Sequence, residues 1–249
     1  DNALSVQFGN DSSATKRFQT SGRRASNRIT GTNNADYIFG SNSADDELLG
    51  GAGDDFLFPS EGADTLRGED GDDTFYLQEQ LLDGTKVNTS VFTGSGSDTL
   101  SFGESLALGN VVVHDLEDAD IIDLSRRFRM NLFDSATESP ETKGHLQISS
   151  HADGVDLRVL VDQNWRSLAV ATNINNVETL RSLIHSDKDG VPDLIDDFPI
   201  DSAASLDTDG DGRPDSWVTG YSSLDSAWNL SIDIFPSDPL EWADTDSDG

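Results

Sequence analysis

GTNNADYIF (31–39), GSNSADDELL (40–49), GGAGDDFLF (50–58), PSEGADTLR (59–67) and GEDGDDTFY (68–76) follow one another without a break. Four of these five blocks are nine residues long, and the second has one residue more. Each has small or Gly residues early, then an Asp, then a large apolar residue two places on. The pairs are Asp36/Ile38, Asp46/Leu48, Asp55/Leu57, Asp64/Leu66 and Asp73/Phe75. A sixth copy, TGSGSDTLS, stands apart at 93–101 with Asp98 and Leu100.

The pattern reads as a six-residue turn followed by a three-residue strand. Gly early in the turn permits left-handed backbone, which aims carbonyl oxygens at a common point. The Asp adds a carboxylate at the same place, and an all-oxygen donor set suits a hard cation such as Ca²⁺. Side chains alternate along a strand, so the apolar residue two after the Asp faces the opposite side from its neighbours. Ile38, Leu48, Leu57, Leu66 and Phe75 are expected to stack as an internal ladder. Two blocks close one coil, which places Asp36, Asp55 and Asp73 along one edge and Asp46 and Asp64 along the other. A single such motif would be an ordinary Asp-Gly turn between hairpin strands; five in phase are not.

These blocks resemble the RTX nonapeptide G-G-x-G-x-D-x-U-x of type I-secreted bacterial proteins. The resemblance implies an all-β, right-handed parallel β-roll over 31–103 that binds several Ca²⁺ ions between stacked turns. The positions matching the motif are Asn34, Asp36, Asp45, Asp46, Gly51, Gly53, Asp55, Gly62, Asp64, Gly71, Asp73, Gly94, Gly96 and Asp98. The first two blocks depart from it, with Asn34 and with Ser43 or Ala44 where Gly is expected, and the fourth opens with Pro59-Ser60. Weaker sites are expected at those end turns.

Bulk properties agree. Forty-seven acids against sixteen bases give a net charge of −31 over 249 residues. Self-repulsion on that scale destabilises a compact state unless counter-ions neutralise it. It also argues against nucleic acid or an anionic membrane as partner. No Cys is present, so metal takes the stapling role that disulfides play elsewhere. No apolar run reaches the length of a membrane span. The chain begins at Asp1, and an Asp-rich loop breaks off at Gly249, so a piece of a longer protein is expected.

Residues 1–30 hold five of the bases and read as a flanking segment, with LSVQF at 4–8 as a strand. No function is assigned to Arg23-Arg24. A hairpin around Asp83-Gly84 is expected to leave the roll near 77–92. Residues 104–184 read as a β-rich cap, with strands at 111–113, 145–149, 155–161 and 167–172. Within it, HDLEDADIIDLS (114–125) resembles the segment that follows RTX repeats; Glu117, Asp118, Asp120 and Asp123 offer either an extra cation site or a solvated acidic loop.

From 185 a second repeat begins. FPIDSAASLDTDGDG (198–212) and FPSDPLEWADTDSDG (235–249) are offset by 37 residues. D-x-D-x-D-G opens an EF-hand-type loop, in which alternate side chains point at one ion. Asp207, Asp209 and Asp211 fill positions one, three and five, with Asp215 at nine and Val218 at twelve. An earlier copy has His185 at position one, then Asp187, Asp189, Asp193 and Asp196 at three, five, nine and twelve. Asp244, Asp246 and Asp248 begin a third. The segment resembles thrombospondin type 3-like repeats, which implies calcium-threaded chain with little regular secondary structure.

Motifs for catalysis are missing: no G-x-S-x-G, no H-E-x-x-H, no Cys nucleophile, no phosphate loop. The chain is therefore expected not to be an enzyme. The leading expectation is a calcium-stabilised structural module of a large secreted or cell-surface bacterial protein, such as an adhesin, stalk or filament. The alternatives are the non-catalytic tail of a secreted protease or lipase, and a calcium-dependent sugar-binding module using Trp165, Trp217, Trp228 or Trp242. Partners on these readings are calcium, other copies or domains of the same protein, or a glycan.

Overall fold

The computed structural model describes residues 4–7, 16–19, 26–41, 44–77, 81–82, 85–86, 88–103, 110–128 and 130–244. Its first strands are β1 (Leu4–Gln7), β2 (Lys16–Gln19), β3 (Asn27–Thr30), β4 (Asp36–Phe39), β5 (Glu47–Ala52) and β6 (Phe56–Phe58). Next come β7 (Thr65–Asp70), β8 (Thr74–Leu77), the short β9 (Leu81–Leu82) and β10 (Thr85–Lys86), β11 (Asn88–Ser95) and β12 (Thr99–Phe102). The remainder are β13 (Asn110–Val113), β14 (Ile121–Asp123), β15 (Leu146–His151), β16 (Gly154–Val161), β17 (Asn164–Ala171), α1 (Val177–Arg181) and β18 (Ile184–His185).

From β1 to β8 and again from β11 to β14, consecutive strands alternate between two sheets, as coils of two nonapeptides require. One sheet runs β1-β3-β5-β7-β11-β13-β17-β16-β15 and the other β18-β14-β12-β8-β6-β4-β2. Pairing is parallel throughout, except at the closing meander β17-β16-β15 and the β9-β10 hairpin. This is a parallel β-solenoid, nearly all-β, consistent with an RTX β-roll.

The register stacks the apolar position of each block on its equivalent two blocks away. Ile38 pairs with Leu57, Leu57 with Phe75, Phe75 with Leu100, and Leu100 with Ile122. In the facing sheet Ile29 pairs with Leu48, Leu48 with Leu66, and Leu66 with Val91. All of these are at most 2% exposed and form one continuous core. Fully burying a side chain of this size stabilises by about 1.5–3 kcal/mol, so the ladder is the main apolar support of the roll.

The solenoid extends past both expected boundaries. Strands β1, β2 and β3 lie within residues 1–30, yet each pairs in parallel with a strand of the stack. Ile29 explains why for β3: it occupies the apolar position, and that is the one requirement a rung of the ladder imposes. Beyond residue 103, β13 and β14 continue both sheets before the antiparallel strands begin. The hairpin that leaves the roll is β9-β10; the residues flanking it, 74–77 and 88–95, stay in the sheets as β8 and β11.

Residues 186–244 contain neither helix nor strand. Their small core is Phe198 with Ala204 and Ala136, covered by Trp217, Trp228 and Leu230. Ala136 belongs to the preceding segment, so this core ties the loop region to the cap.

Candidate metal centres

Each block's Asp does two jobs. One carboxylate oxygen reaches back one coil and accepts a backbone N–H. Asp36 N donates to Asp55 Oδ1 (2.7 Å), Asp55 N to Asp73 Oδ1 (2.7 Å), Asp73 N to Asp98 Oδ1 (2.8 Å) and Asp98 N to Asp120 Oδ1 (3.0 Å). On the other edge Asn27 N donates to Asp46 Oδ1 and Asp46 N to Asp64 Oδ1, both at 2.8 Å. These columns fasten coil to coil.

The second oxygen separates the blocks into two kinds. In Asp55, Asp64, Asp73 and Asp98 it is buried and has no hydrogen-bond partner among the described residues. In Asp36 it accepts from Thr32 N (2.7 Å) and Thr32 Oγ1 (2.8 Å); in Asp46, from Ser41 N (2.5 Å) and Ser41 Oγ (2.9 Å). In Asp120 it accepts from Glu117 N at 2.8 Å. The first two blocks thus satisfy their own Asp through Thr32 and Ser41, whereas the fourth, with Ser60 at the same place, leaves Asp64 Oδ2 without a partner among the described residues. A buried acceptor left without a donor is costly, and a cation is the partner its charge calls for.

The glycines close the same turns. Gly53 and Gly71 have φ of 101° and 129°, which side chains rarely adopt. A Cβ on Gly71 would lie 2.4 Å from the Gly53 carbonyl oxygen, so the turns stack backbone against backbone. Gly51, Gly62, Gly94 and Gly96 also have positive φ. At Gly50 a Cβ would lie 2.4 Å from Asp55 Oδ2 and 2.6 Å from the Gly68 carbonyl oxygen, and at Gly68 one would lie 2.2 Å from both Asp73 Oδ2 and Thr93 O, so main-chain carbonyls stand close to these free carboxylate oxygens.

Burial drives the carboxyl pKa values up: Asp55 and Asp64 to about 8, Asp73 and Asp98 to about 7. Desolvation is the largest cause in all four, and the charges of neighbouring Asp residues add to it. Burial and the mutual repulsion of these carboxyls oppose ionising them together unless a counter-charge is present. The residues present therefore fit a multivalent cation and disfavour its absence at neutral pH.

Other sequence candidates take different places. Asp45 stands in an exposed outer row, where its Oδ1 accepts from Ala63 N, as Asp54 does from Asp72 N. Asn34 packs its backbone under Gly53. Glu117, Asp118, Asp120 and Asp123 do not converge: Glu117 and Asp118 are exposed, and Asp123 is bound by Ser101, Ser125 and Lys188. Asn27 and Asp115 are additions, and Asp120 takes a place in the Asp column instead of a separate cluster. Asp115 and Asp120 place 115–123 as a further copy in register, since Thr93 N donates to Asp115 Oδ1 and Asp98 N to Asp120 Oδ1. The phase was readable: GRRASNRIT (22–30) and DLEDADIID (115–123) both put an apolar residue two places after Asn or Asp.

In the loop region two carboxylate groups converge: Asp187, Asp189 and Asp196, and Asp207, Asp209 and Asp211, each with its ligand atoms within 4.8 Å of one another. The Oδ2 atoms of Asp187, Asp189, Asp196 and Asp209 are buried without hydrogen-bond partners among the described residues. Burial, then neighbouring carboxylates, pushes Asp187 up to about 8; Asp196 rises to about 9, with burial again the largest cause. Asp193 and Asp215 stand outside these groups. Each clamps the second residue of its loop: Asp193 accepts from Ser186 N and Oγ, Asp215 from Thr208 N and Oγ1. His185, at position one of the first loop, is the last strand residue of its sheet and pairs with Asp123. Asp244 is exposed, and Asp246 and Asp248 lie outside the described residues.

A family model described as RTX calcium-binding nonapeptide repeat (4 copies) matches residues 21–57, 30–66 and 49–79. No curated protein matches the chain. RTX repeats are a structural calcium-binding fold and occur in secreted bacterial proteins. No described helix is long and apolar enough to cross a membrane. The turns stacked on Asp36, Asp46, Asp55, Asp64 and Asp73 are RTX calcium-binding nonapeptide repeats, and the β-solenoid they build is a calcium-binding β-roll.

Proposed function

We propose that this chain is a structural module of a secreted, surface-displayed bacterial protein, an adhesin or stalk, that folds on meeting calcium after type I export. The observation that carries the reading is the set of four buried carboxylate oxygens without partners, at Asp55, Asp64, Asp73 and Asp98. With the adjacent turn carbonyls, including those of Gly51, Gly53, Gly62, Gly71, Gly94 and Gly96, they supply oxygen donors for ions between coils. Asp187, Asp189 and Asp196, and Asp207, Asp209 and Asp211, supply further sites in a thrombospondin type 3-like segment. Metal-binding energy becomes folding energy when the unfolded chain has no preformed site. Low cytosolic calcium would keep the chain unfolded and exportable. Circular dichroism of calcium-free protein should show little strand signal, which millimolar calcium restores. A strand spectrum indifferent to calcium overturns the reading. The hydrolase-tail alternative is decided by the sequence of the full gene.

One observation favours a second reading, sugar binding. A groove of about 560 Å³ runs over the outer face of the shorter sheet, lined by Tyr37, Phe56, Phe58, Tyr76, Arg126 and Lys188. Tyr37 stacks on Phe56 with ring centroids 4.7 Å apart, and Arg126 lies 5.1 Å from the Tyr76 ring. Aromatic faces flanked by polar groups suit sugar rings better than Trp217 and Trp228, which pack into the loop-region core. A glycan array with and without chelator, repeated with Tyr76→Ala, tests it; signals unchanged by both treatments would reject it.

A further inference from the structure

The two C-terminal loops differ at one ligand. In the first, Asp196 follows Asp193 by three residues and joins Asp187 and Asp189. Its Oδ1 accepts from Phe198 N at 2.7 Å, and its Oδ2 is buried without a partner among the described residues. In the second loop the corresponding residue is Val218, which has no oxygen in its side chain and whose N–H donates to Ala203 O.

Asp233 repeats the local setting of Asp196. It precedes Phe235-Pro236 as Asp196 precedes Phe198-Pro199, at the 37-residue offset of the repeat. Its Oδ1 accepts from Phe235 N at 2.7 Å. It is 2% exposed, and its Oδ2 has no hydrogen-bond partner among the described residues. Its own N–H donates to Pro214 O at 3.0 Å, which seats it against the second loop between Asp211 and Asp215. Asp209, whose Oδ2 is also buried without a partner among the described residues, has its carboxyl pKa raised by desolvation first and then by the charges of Asp211, Asp233 and Asp207.

We propose that Asp233 is a ligand of the cation held by Asp207, Asp209 and Asp211, closing the second calcium site across a fifteen-residue insertion. Asp233 follows Asp215 by eighteen residues, where Asp196 follows Asp193 by three. The inserted chain carries Trp217, Trp228 and Leu230 onto Phe198, and its Ser226 Oγ donates to Asp201 Oδ2 at 2.6 Å. Arg213, inside the loop, reaches Ser231 Oγ at 2.6 Å. An ion bound to Asp209 and Asp233 pins both ends of the insertion, so loop-two calcium holds the small aromatic core shut. Four carboxylates around one ion match a hard divalent cation of calcium's size.

The inference rests on the reading of these loops as calcium sites, and the test separates the two. Calcium bound to the full-length chain is counted by native mass spectrometry and titrated by tryptophan emission, in wild type, Asp209→Asn, Asp233→Asn, the double variant and Asp225→Asn. Outer-shell partners alone are worth about 10–100-fold in metal affinity, so losing a direct ligand should weaken one site at least that much. Asp209→Asn and Asp233→Asn should each lose one ion, and the double variant the same one ion. Asp225→Asn, an exposed cap on Ser222 within the insertion, should lose none. An ion lost by Asp209→Asn but kept by Asp233→Asn overturns the proposal, as does a double variant that loses two. If Asp209→Asn keeps every ion, the second loop is no calcium site and the underlying reading fails with it.

Discussion

Asp55 N donates to Asp73 Oδ1 at 2.7 Å, while Asp73 Oδ2 is buried with no partner among the described residues. One carboxylate therefore joins two coils through one oxygen and offers the other to an ion between them. Coil stacking and metal binding are the same structural event at this residue.

The first consequence is a pH dependence that reverses with calcium. In the folded roll Asp55 and Asp64 hold protons up to about pH 8, and Asp73 and Asp98 up to about 7. In the unfolded chain they release them near pH 3.9. Below about pH 4 both states are protonated and the shift costs nothing; from there to about pH 8 only the unfolded chain deprotonates, so calcium-free stability falls as pH rises. With calcium the order inverts, because the ion competes with the proton. Calcium-free protein should show more strand by circular dichroism at pH 5 than at pH 8, and the calcium midpoint should drop between those values. Replacing all four residues with Asn should flatten both trends; trends of undiminished slope would show that overall charge, not these groups, is responsible.

Asp55→Asn and Asp36→Asn should behave oppositely. The first removes a charge that only an ion satisfies, so it should strengthen the calcium-free roll and raise the calcium midpoint. The second weakens the bonds from Thr32 to the Asp36 carboxylate, worth about 1.5–3 kcal/mol for a charged acceptor, and should cost stability with or without calcium. Urea melts in both conditions discriminate, and equal behaviour would mean that the position-two hydroxyl makes no difference.

Leu57→Ala tests the apolar ladder apart from the metal. Leu57 is 0% exposed and pairs with Ile38 and Phe75. Truncation should cost about 2–5 kcal/mol, and calcium saturation should not recover it. A variant restored to wild-type melting by excess calcium would mean that the ions alone carry the stack.

The two calcium regions should titrate separately. Roll sites are shared between coils, so filling should propagate steeply along the stack. The loop sites gather most of their ligands within a dozen residues, a cheaper closure, and should fill earlier and less steeply. Trp217 and Trp228 line the loop core and Trp242 follows it, so tryptophan emission should respond before the strand signal. Coincident transitions of equal steepness would make them one cooperative unit.

A nine-residue period with an apolar residue two after Asp specifies, by strand alternation alone, which side chains go inside and which edge each Asp occupies. Ile38, Leu57 and Phe75 could be placed on one face without coordinates because every contact in a solenoid is with the equivalent residue one coil away. The acidic loops were legible for the same reason, since D-x-D-x-D-G brings its carboxylates together locally. Where the chain departs from the period, only the folded structure decided. Thr32 and Ser41 turn back on their own Asp, so two motif residues satisfy themselves; Asp193 and Asp215 become clamps. Asn27 and Asp120 keep the apolar residue two places on, but their segments have too few glycines to read as turns, and only the neighbouring coil shows that they join the Asp columns. Asp233 reaches the second loop across an insertion held by Trp217 and Trp228. Pattern determines what is near in sequence or one coil away, whereas a partner brought back by packing is set by tertiary contacts that no local spacing encodes.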